Sequence, residues 1–219
     1  MRMLGGVIFD FDGVIADSHP AHMQAWKGFL LSKGKAVSDA ELSFVREGAK
    51  REEILRHFLG ELTPEQAASY GAEKEKLFQA LAGELKLVPG LVEFLSLIEA
   101  GALPTAVATS GSRGRVVQAL EAFNICPRFR AVVTAEDVNR GKPDPALFLL
   151  AAQALQVAPR YILVCEDAVA GVLAAKRAGM KCMGIAANGT ESRLKQAGAD
   201  LVVNDFTNTS LDDVRRLFA

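Results

Sequence analysis

Cysteine is scarce in this chain: Cys126, Cys165 and Cys182 are the only three in 219 residues. The number is odd and no metal-ligand spacing joins them. That excludes a disulfide scaffold and a zinc site, and reduced thiols in a cytoplasmic protein are expected. Charge of one sign is also lacking. Lys and Arg number 25 against 26 Asp and Glu, a formal net charge of -1. No basic footprint for nucleic acid is present, and no nucleic-acid partner is expected. No apolar run is long enough to span a bilayer, so no membrane role is expected. The apolar N-terminal stretch is broken by Asp10 and Asp12, and no small-residue cleavage site follows, so a signal peptide is not expected. Internal repeats and low-complexity segments are absent too. What remains is a chain that is 50% hydrophobic, enough for a sizeable core. Its length suits one large domain, or one domain carrying a smaller insert.

The stretch Gly6-Val7-Ile8-Phe9-Asp10-Phe11-Asp12-Gly13-Val14-Ile15-Ala16-Asp17 organises the rest. Val7-Ile8-Phe9 reads as a short buried strand. Asp10 and Asp12 follow it two residues apart, which is the strand period, and Gly13 signals a turn. Two acids at the mouth of a buried strand repel each other unless a proton or a cation lies between them. A hard cation with oxygen ligands, such as Mg2+, meets that need. The plain alternative is a pair of solvated turn residues.

Between Ser18 and Leu87 no strand pattern stands out. Helices are predicted over His19–Ser32, Asp39–Glu47, Arg51–Leu59 and Pro64–Leu81. Ser38 is a candidate N-cap for the second, and Thr63 with Pro64 opens the last. A helical segment of this length is an insertion, not an ordinary βα connection. The predicted boundaries are residues 17–87 for the insert and 1–16 with 88–219 for the main domain.

After Val88-Pro89-Gly90 the pattern alternates. Helices are predicted over Leu91–Ala100, to Phe123 after Ser110-Gly111-Ser112, over Pro145–Gln156, to Ala178, and over Asp212–Phe218. Strands are predicted over Pro104–Thr109, Ala131–Val133, Tyr161–Cys165, Cys182–Ile185 and Leu201–Val203. Repeated βα units with continuously apolar strands imply an α/β fold, a doubly wound parallel sheet covered by helices. Ligands bind such sheets outside the carboxyl ends of the strands. The first strand is expected to be central, between the strand ending at Thr109 and the strand ending before Glu166-Asp167.

Polar groups cluster at those strand ends. Thr109 and Ser110 precede Gly111 and a helix N-terminus, a good place for phosphate oxygens, though a cap and turn is the commoner role. Lys142 precedes Pro143, which restricts it to extended conformations. Glu166-Asp167 follows a strongly apolar strand and offers further oxygen ligands beside Asp10 and Asp12.

The two aspartates in D-x-D-G-V-x-x-D form, then a Thr/Ser, a Lys and an acidic pair resemble the four motifs of the haloacid dehalogenase superfamily, in order. The helical insert resembles that family's cap, so the likeness spans the whole chain. It is most similar to the branch containing phosphoglycolate phosphatase and β-phosphoglucomutase. The resemblance implies a Mg2+-dependent phosphatase acting on a small phosphorylated metabolite, a sugar phosphate or phosphoglycolate-like compound; a monomer is expected. It implies that Asp10 is the nucleophile and that Asp12 is the general acid/base, its backbone carbonyl also binding Mg2+. Thr109, with backbone N–H groups of Ser110 and Gly111, would bind the phosphoryl oxygens. Lys142 would orient Asp10 and neutralise charge, Asp167 would ligate Mg2+, and Glu166 would be a ligand or stand just behind one. Asp12 argues for phosphoryl transfer over dehalogenation, because the dehalogenase branch lacks that second aspartate.

In the insert, His22 and Trp26 share one helix face. Trp26 is expected in the core of the insert, and His22 either there or near the substrate. Arg51, after Gly48-Ala49-Lys50, resembles a family arginine that meets a distal phosphate or carboxylate. Lys74 resembles a lysine of the mutase branch, although a surface ion pair within Glu73-Lys74-Glu75-Lys76 accounts for it equally well. Arg113 stands where that branch often has another polar residue. A β-phosphoglucomutase-type phosphosugar mutase is therefore the alternative activity, and a non-catalytic binding module on the same fold the remote one.

Overall fold

The computed structural model describes residues 3–42, 45, 51–186 and 189–219. The chain divides into two compact units, Met1–Asp17 with Leu87–Ala219, and Ser18–Lys86. Strand β1 (Gly6–Phe9) is followed by two two-residue strands, β2 (Ala16–Asp17) and β3 (Lys86–Leu87), which pair with each other. The sequence pattern does not reveal β3, because two residues are too few for an alternation to register.

The larger unit is built on one parallel sheet. To β1 it adds β4 (Thr105–Ala108), β5 (Ala131–Val133), β6 (Ile162–Glu166), β7 (Lys181–Ile185) and β8 (Leu201–Val203). The strand order is β5-β4-β1-β6-β7-β8, with β1 between β4 and β6. This is the doubly wound arrangement that the apolar runs imply, and β1 is central as expected. Alternation along β1 explains why helices cover both faces. Val7 and Phe9 enter one core cluster while Ile8 enters the other, and all three are fully buried. Phe9 meets the rings of Phe94, Phe129 and Phe206. A strand apolar on both faces needs such cover on each side.

Helices α1 (His19–Ser32), α2 (Arg51–Leu59) and α3 (Pro64–Ala80) belong to the smaller unit. The predicted helix over Asp39–Glu47 falls partly, and the stretch 48–50 wholly, outside the described residues. Ser38 does accept a hydrogen bond from the Glu41 N–H at 3.3 Å. Thr63 opens α3 with a reciprocal cap: its side chain accepts from Gln66 N–H and the Gln66 side chain accepts from Thr63 N–H. With Pro64 lacking an N–H, that pairing satisfies two of the three N–H groups this helix start leaves open. Met23, Trp26, Phe29, Leu30, Leu42, Ile54 and Leu55 form this unit's own core, so Trp26 is a core residue. Helices α4 (Leu91–Ala100), α5 (Arg113–Ala122), α6 (Ala146–Leu155), α7 (Val169–Arg177), α8 (Glu191–Gln196) and α9 (Leu211–Arg216) flank the sheet. The six-residue α8 is missed by the sequence reading, although the equally short α9 is found. No described helix is long and apolar enough to cross a membrane.

Gly90, the residue before α4, has φ 75°, in the region that favours glycine. A Cβ there would collide with the backbone of Phe206 and Thr207. The two constraints act together, since the backbone cannot relax away from a β-carbon it is already strained to carry. Gly90→Ala is expected to destabilise the protein by about 3 kcal/mol, the upper range for overpacking. Thermal unfolding measures it, and a Tm within a degree of wild type would show that the α9 side gives way.

Candidate active site

The parallel sheet brings the carboxyl ends of β1 and β6 side by side. Asp10 continues β1: its N–H donates to the Cys165 carbonyl at 2.9 Å, which sets its side chain beside the end of β6. Glu166 ends that strand with its side chain fully buried. Lys142 arrives from the loop between β5 and α6, across a cis Lys142–Pro143 bond. Its Nζ lies 2.9 Å from Asp10 Oδ1 and 2.6 Å from Glu166 Oε1, above the Phe148 ring at 5.0 Å. Glu166 Oε2 accepts from the Ala168 N–H at 2.6 Å. Glu166 thus holds Lys142 with one oxygen and the start of α7 with the other. Gly171, in the first turn of α7, makes this possible, because a β-carbon there would collide with the Glu166 carboxylate.

Electrostatics follow from counting charges in this buried cluster. Burial pushes Asp10 up to about 7 against the pull of Lys142, with Glu166 and Asp12 adding to the rise. Burial likewise raises Glu166, again opposed by Lys142. For Lys142 burial acts downward, but the Asp10 and Glu166 carboxylates more than reverse it and hold the ammonium above its usual value. Both acids shifted up and the base shifted up are compatible. One lysine cannot balance two buried carboxylates, so it stays charged while both acids hold their protons to higher pH than usual.

A divalent cation suits the remaining charge. Asp10, Glu166 and Asp167 each place a carboxylate oxygen within 4.8 Å of the others. Asp10 Oδ1 is buried, and the Lys142 ammonium at 2.9 Å, shared with Glu166, is its cationic partner. An all-oxygen donor set with an excess of negative charge fits Mg2+. The side chain of Asp12 is not in this group. It lies in the guanidinium fork of Arg115, at 2.9 and 2.7 Å.

On the other side of β1, Thr109 follows β4 and is buried. Its N–H donates to the Val133 carbonyl, and its Oγ1 accepts from the Gly111 N–H at 3.0 Å. The Gly111 N–H therefore serves the turn, and Thr109 keeps its own hydroxyl proton to donate. Ser112 is the N-cap residue of α5. Arg113 is turned to the Val132 carbonyl and to Asp137, at 3.0 and 2.6 Å.

In the smaller unit, His22 and Lys74 are brought together: Lys74 Nζ lies 2.8 Å from His22 Nδ1. A lysine ammonium only donates, so Nδ1 accepts and the His22 proton sits on Nε2. His22 stacks on Phe78 at 4.0 Å between ring centroids, and Lys74 lies 4.9 Å from the same ring. Lys74 is buried, and its ion pair within the Glu73–Lys76 run is a 3.9 Å contact with Glu75, so a pair does form there, but with a buried lysine and at i, i+1. Arg51 is half exposed, paired with Glu52 at 3.2 Å, and lies across Gly71 of α3, where a β-carbon would meet its guanidinium.

Arg115 and Gly171 escape sequence reasoning. Arg115 reads as one more helix-surface arginine, and Gly171 as a weak spot in a helix. The one available signal is position: an arginine in the first turn of α5, where the helix dipole disfavours a cation.

The charge excess has a testable sign. Asp10 titrates near 3.8 when unfolded and near 7 when folded. Its contribution to stability is complete below the lower value and is lost as pH rises through the higher one. With a chelator present, Asp10→Asn is expected to raise Tm above wild type at about pH 8, with the gain shrinking as pH falls and vanishing only below the unfolded value of 3.8. Added Mg2+ should raise the wild-type Tm at the higher pH more than that of Asp10→Asn. A pH-independent difference between the two proteins would show that Asp10 carries its charge at no expense.

Comparison with known proteins gives this geometry its family. The family model described as haloacid dehalogenase-like hydrolase matches residues 7–185. Hexitol phosphatase A of Escherichia coli is 34% identical over 199 residues, covering 91% of this chain and 90% of its own. The β-phosphoglucomutase of Bacillus subtilis is 32% identical over 217 residues, covering 94% and 92%. Among solved structures, a HAD hydrolase of family IA from Entamoeba histolytica superposes with a TM-score of 0.88 at 26% identity, covering 98% of this chain and 99% of that one. The match runs from β1 to the end of β7 and takes in every strand that carries a charged group of the cluster. The chain belongs to the haloacid dehalogenase-like hydrolase family.

Proposed function

We propose that the protein is a Mg2+-dependent phosphatase of small phosphorylated metabolites, sugar phosphates first among them, working through an aspartyl-phosphate on Asp10. The observation that carries the proposal is the buried Asp10–Lys142–Glu166 cluster with its excess negative charge. Phosphoryl transfer asks for positioning and charge neutralisation more than for elaborate covalent chemistry. Bound at Asp10, Glu166 and Asp167, with the Asp12 backbone carbonyl as a further ligand, Mg2+ would neutralise the carboxylates and polarise the phosphoryl group.

The chain's own residues do the rest. Lys142 keeps Asp10 oriented and offsets the repulsion between an anionic nucleophile and an anionic substrate. The Thr109 hydroxyl and the Ser110 N–H donate to phosphoryl oxygens. An Asp10 oxygen attacks phosphorus, the bond to the leaving oxygen breaks, and Asp12 gives that oxygen a proton. Water then attacks phosphorus, loses a proton to Asp12, and the phosphate leaves Asp10. In the smaller unit, His22, Lys74 and Arg51 are the candidates for recognising the rest of the substrate. Hexitol phosphatase A, by its name a sugar-alcohol phosphatase, supports a polyhydroxylated substrate.

The mutase reading has its own support, the His22–Lys74 pair and the β-phosphoglucomutase relative. Against it, Arg113 is committed to Asp137 and the Val132 carbonyl. The purified protein is expected to hydrolyse p-nitrophenyl phosphate with Mg2+ and to stop with EDTA. Asp10→Asn should lower kcat on the order of a thousandfold or more, as loss of a nucleophile does. With β-glucose 1-phosphate and a bisphosphate primer, phosphate should appear without glucose 6-phosphate. Accumulating glucose 6-phosphate would make the mutase the activity, and an active Asp10→Asn would remove Asp10 as nucleophile.

A further inference from the structure

Arg115 is in an unfavourable place. It lies in the first turn of α5, where no acidic residue stands and the helix dipole repels a cation. Its side chain is only 5% exposed, so the guanidinium has also lost most of its water. The Phe11 ring faces it at 5.4 Å, and a β-carbon on Gly111 would collide with its Nη2. The fork therefore lies under the Thr109–Gly111 turn and reaches from there to Asp12. Both Asp12 oxygens are taken, at 2.9 Å by Nη1 and 2.7 Å by Nη2.

From this geometry we infer that Arg115 is the positioning residue of Asp12. The inference rests on the reading of Asp12 as the general acid/base. A bidentate fork fixes the rotamer of a carboxylate and also the plane of its two oxygens, which a single hydrogen bond cannot do. It uses two of about four lone-pair directions, so the fork alone does not exhaust the carboxylate's acceptor capacity. Asp12 is the more exposed partner, its side chain 26% exposed on a loop that turns at Gly13. Arg115 is the fixed partner, carried on a helix and wedged beneath the turn. Asp12 is thereby tied to a fork that lies against the Gly111 turn following Thr109. Lysine cannot substitute, since its ammonium is a point donor with no plane.

The test is the Arg115→Lys variant, which keeps charge and stem but loses the fork. Phosphate esters of graded leaving group, from p-nitrophenyl phosphate to an alkyl phosphate such as glycerol phosphate, are compared by kcat/KM. That constant covers the steps up to departure of the leaving group, where the acid acts. Misplacing the acid harms poor leaving groups most, so the loss on the alkyl phosphate is expected to exceed that on p-nitrophenyl phosphate by about tenfold or more, within the range general acid catalysis supplies. In an Asp12→Asn background the further change to Arg115→Lys should alter the residual rate by less than about twofold, because the two residues act as one unit.

Losses that are equal across the series, or additive with Asp12→Asn, overturn the inference and make Arg115 a support of the turn. A uniform rise in KM with weaker inhibition by inorganic phosphate also overturns it, showing that Arg115 binds the phosphoryl group directly. Where Asp12→Asn alone has no leaving-group dependence, the fault lies in the role given to Asp12, and both readings fall together. Circular dichroism of each variant separates these outcomes from unfolding, and Arg115→Gln, which keeps a planar end, serves as the second variant.

Discussion

Two carboxylates and one ammonium buried together at a strand mouth are the constraint on which the larger unit depends. Asp10 and Glu166 sit on adjacent strands, so the sheet register that joins Phe9 to Cys165 also fixes the distance between their charges. Neither acid can be moved without moving a central strand. Burying such a group without full compensation is expensive, and here the compensation is incomplete. The site is therefore held in a state that favours one more positive charge than the chain itself provides. Burial makes the site receptive to a cation, and the fold tolerates the imbalance because β1 and β6 are held on both faces by apolar cores.

Small residues near the cluster serve that constraint. Gly171 leaves room for the Glu166 carboxylate against α7, and the Ala168 N–H holds its second oxygen. With both oxygens committed, Glu166 has little freedom, and Lys142 inherits that rigidity through a 2.6 Å contact. Glu166 is thus as much a support for Lys142 as a potential ligand. A carboxylate oxygen shared between an ammonium and a metal keeps a lone pair for each, so the two roles are compatible.

The fold was legible because its signals are repeated and local. Each βα unit restates the same apolar run and turn, and the acids of β1 and β6 interrupt runs that are otherwise wholly buried. The acidic pair, the lysine and the threonine can be found from their place at strand ends alone. Side-chain partners are a different matter. That Asp12 meets Arg115, 103 positions away, depends on how α5 packs under a turn, which no periodicity encodes. Lys74 and His22 are 52 positions apart, and a run of four alternating charges hid the fact that one of them is buried. Arg51 is legible as a cation but not as one lying across Gly71.

The two aspartates of the first motif show how one residue type takes two roles. They are two positions apart and chemically identical, so the sequence gives no ground for dividing the work between them beyond family likeness. Their surroundings do. Asp10 is buried and shares one lysine with a second buried acid, so a cation or electrophile beside it would relieve negative charge. Asp12 is more exposed and is met by a guanidinium matched to both of its oxygens. A carboxylate so matched has little drive to attack phosphorus, but its remaining lone pairs can still exchange a proton with a neighbour. Environment separates paired acids into distinct tasks in this way. Here the separation is produced by the partner each acid faces, a shared lysine for Asp10 and a bidentate arginine for Asp12.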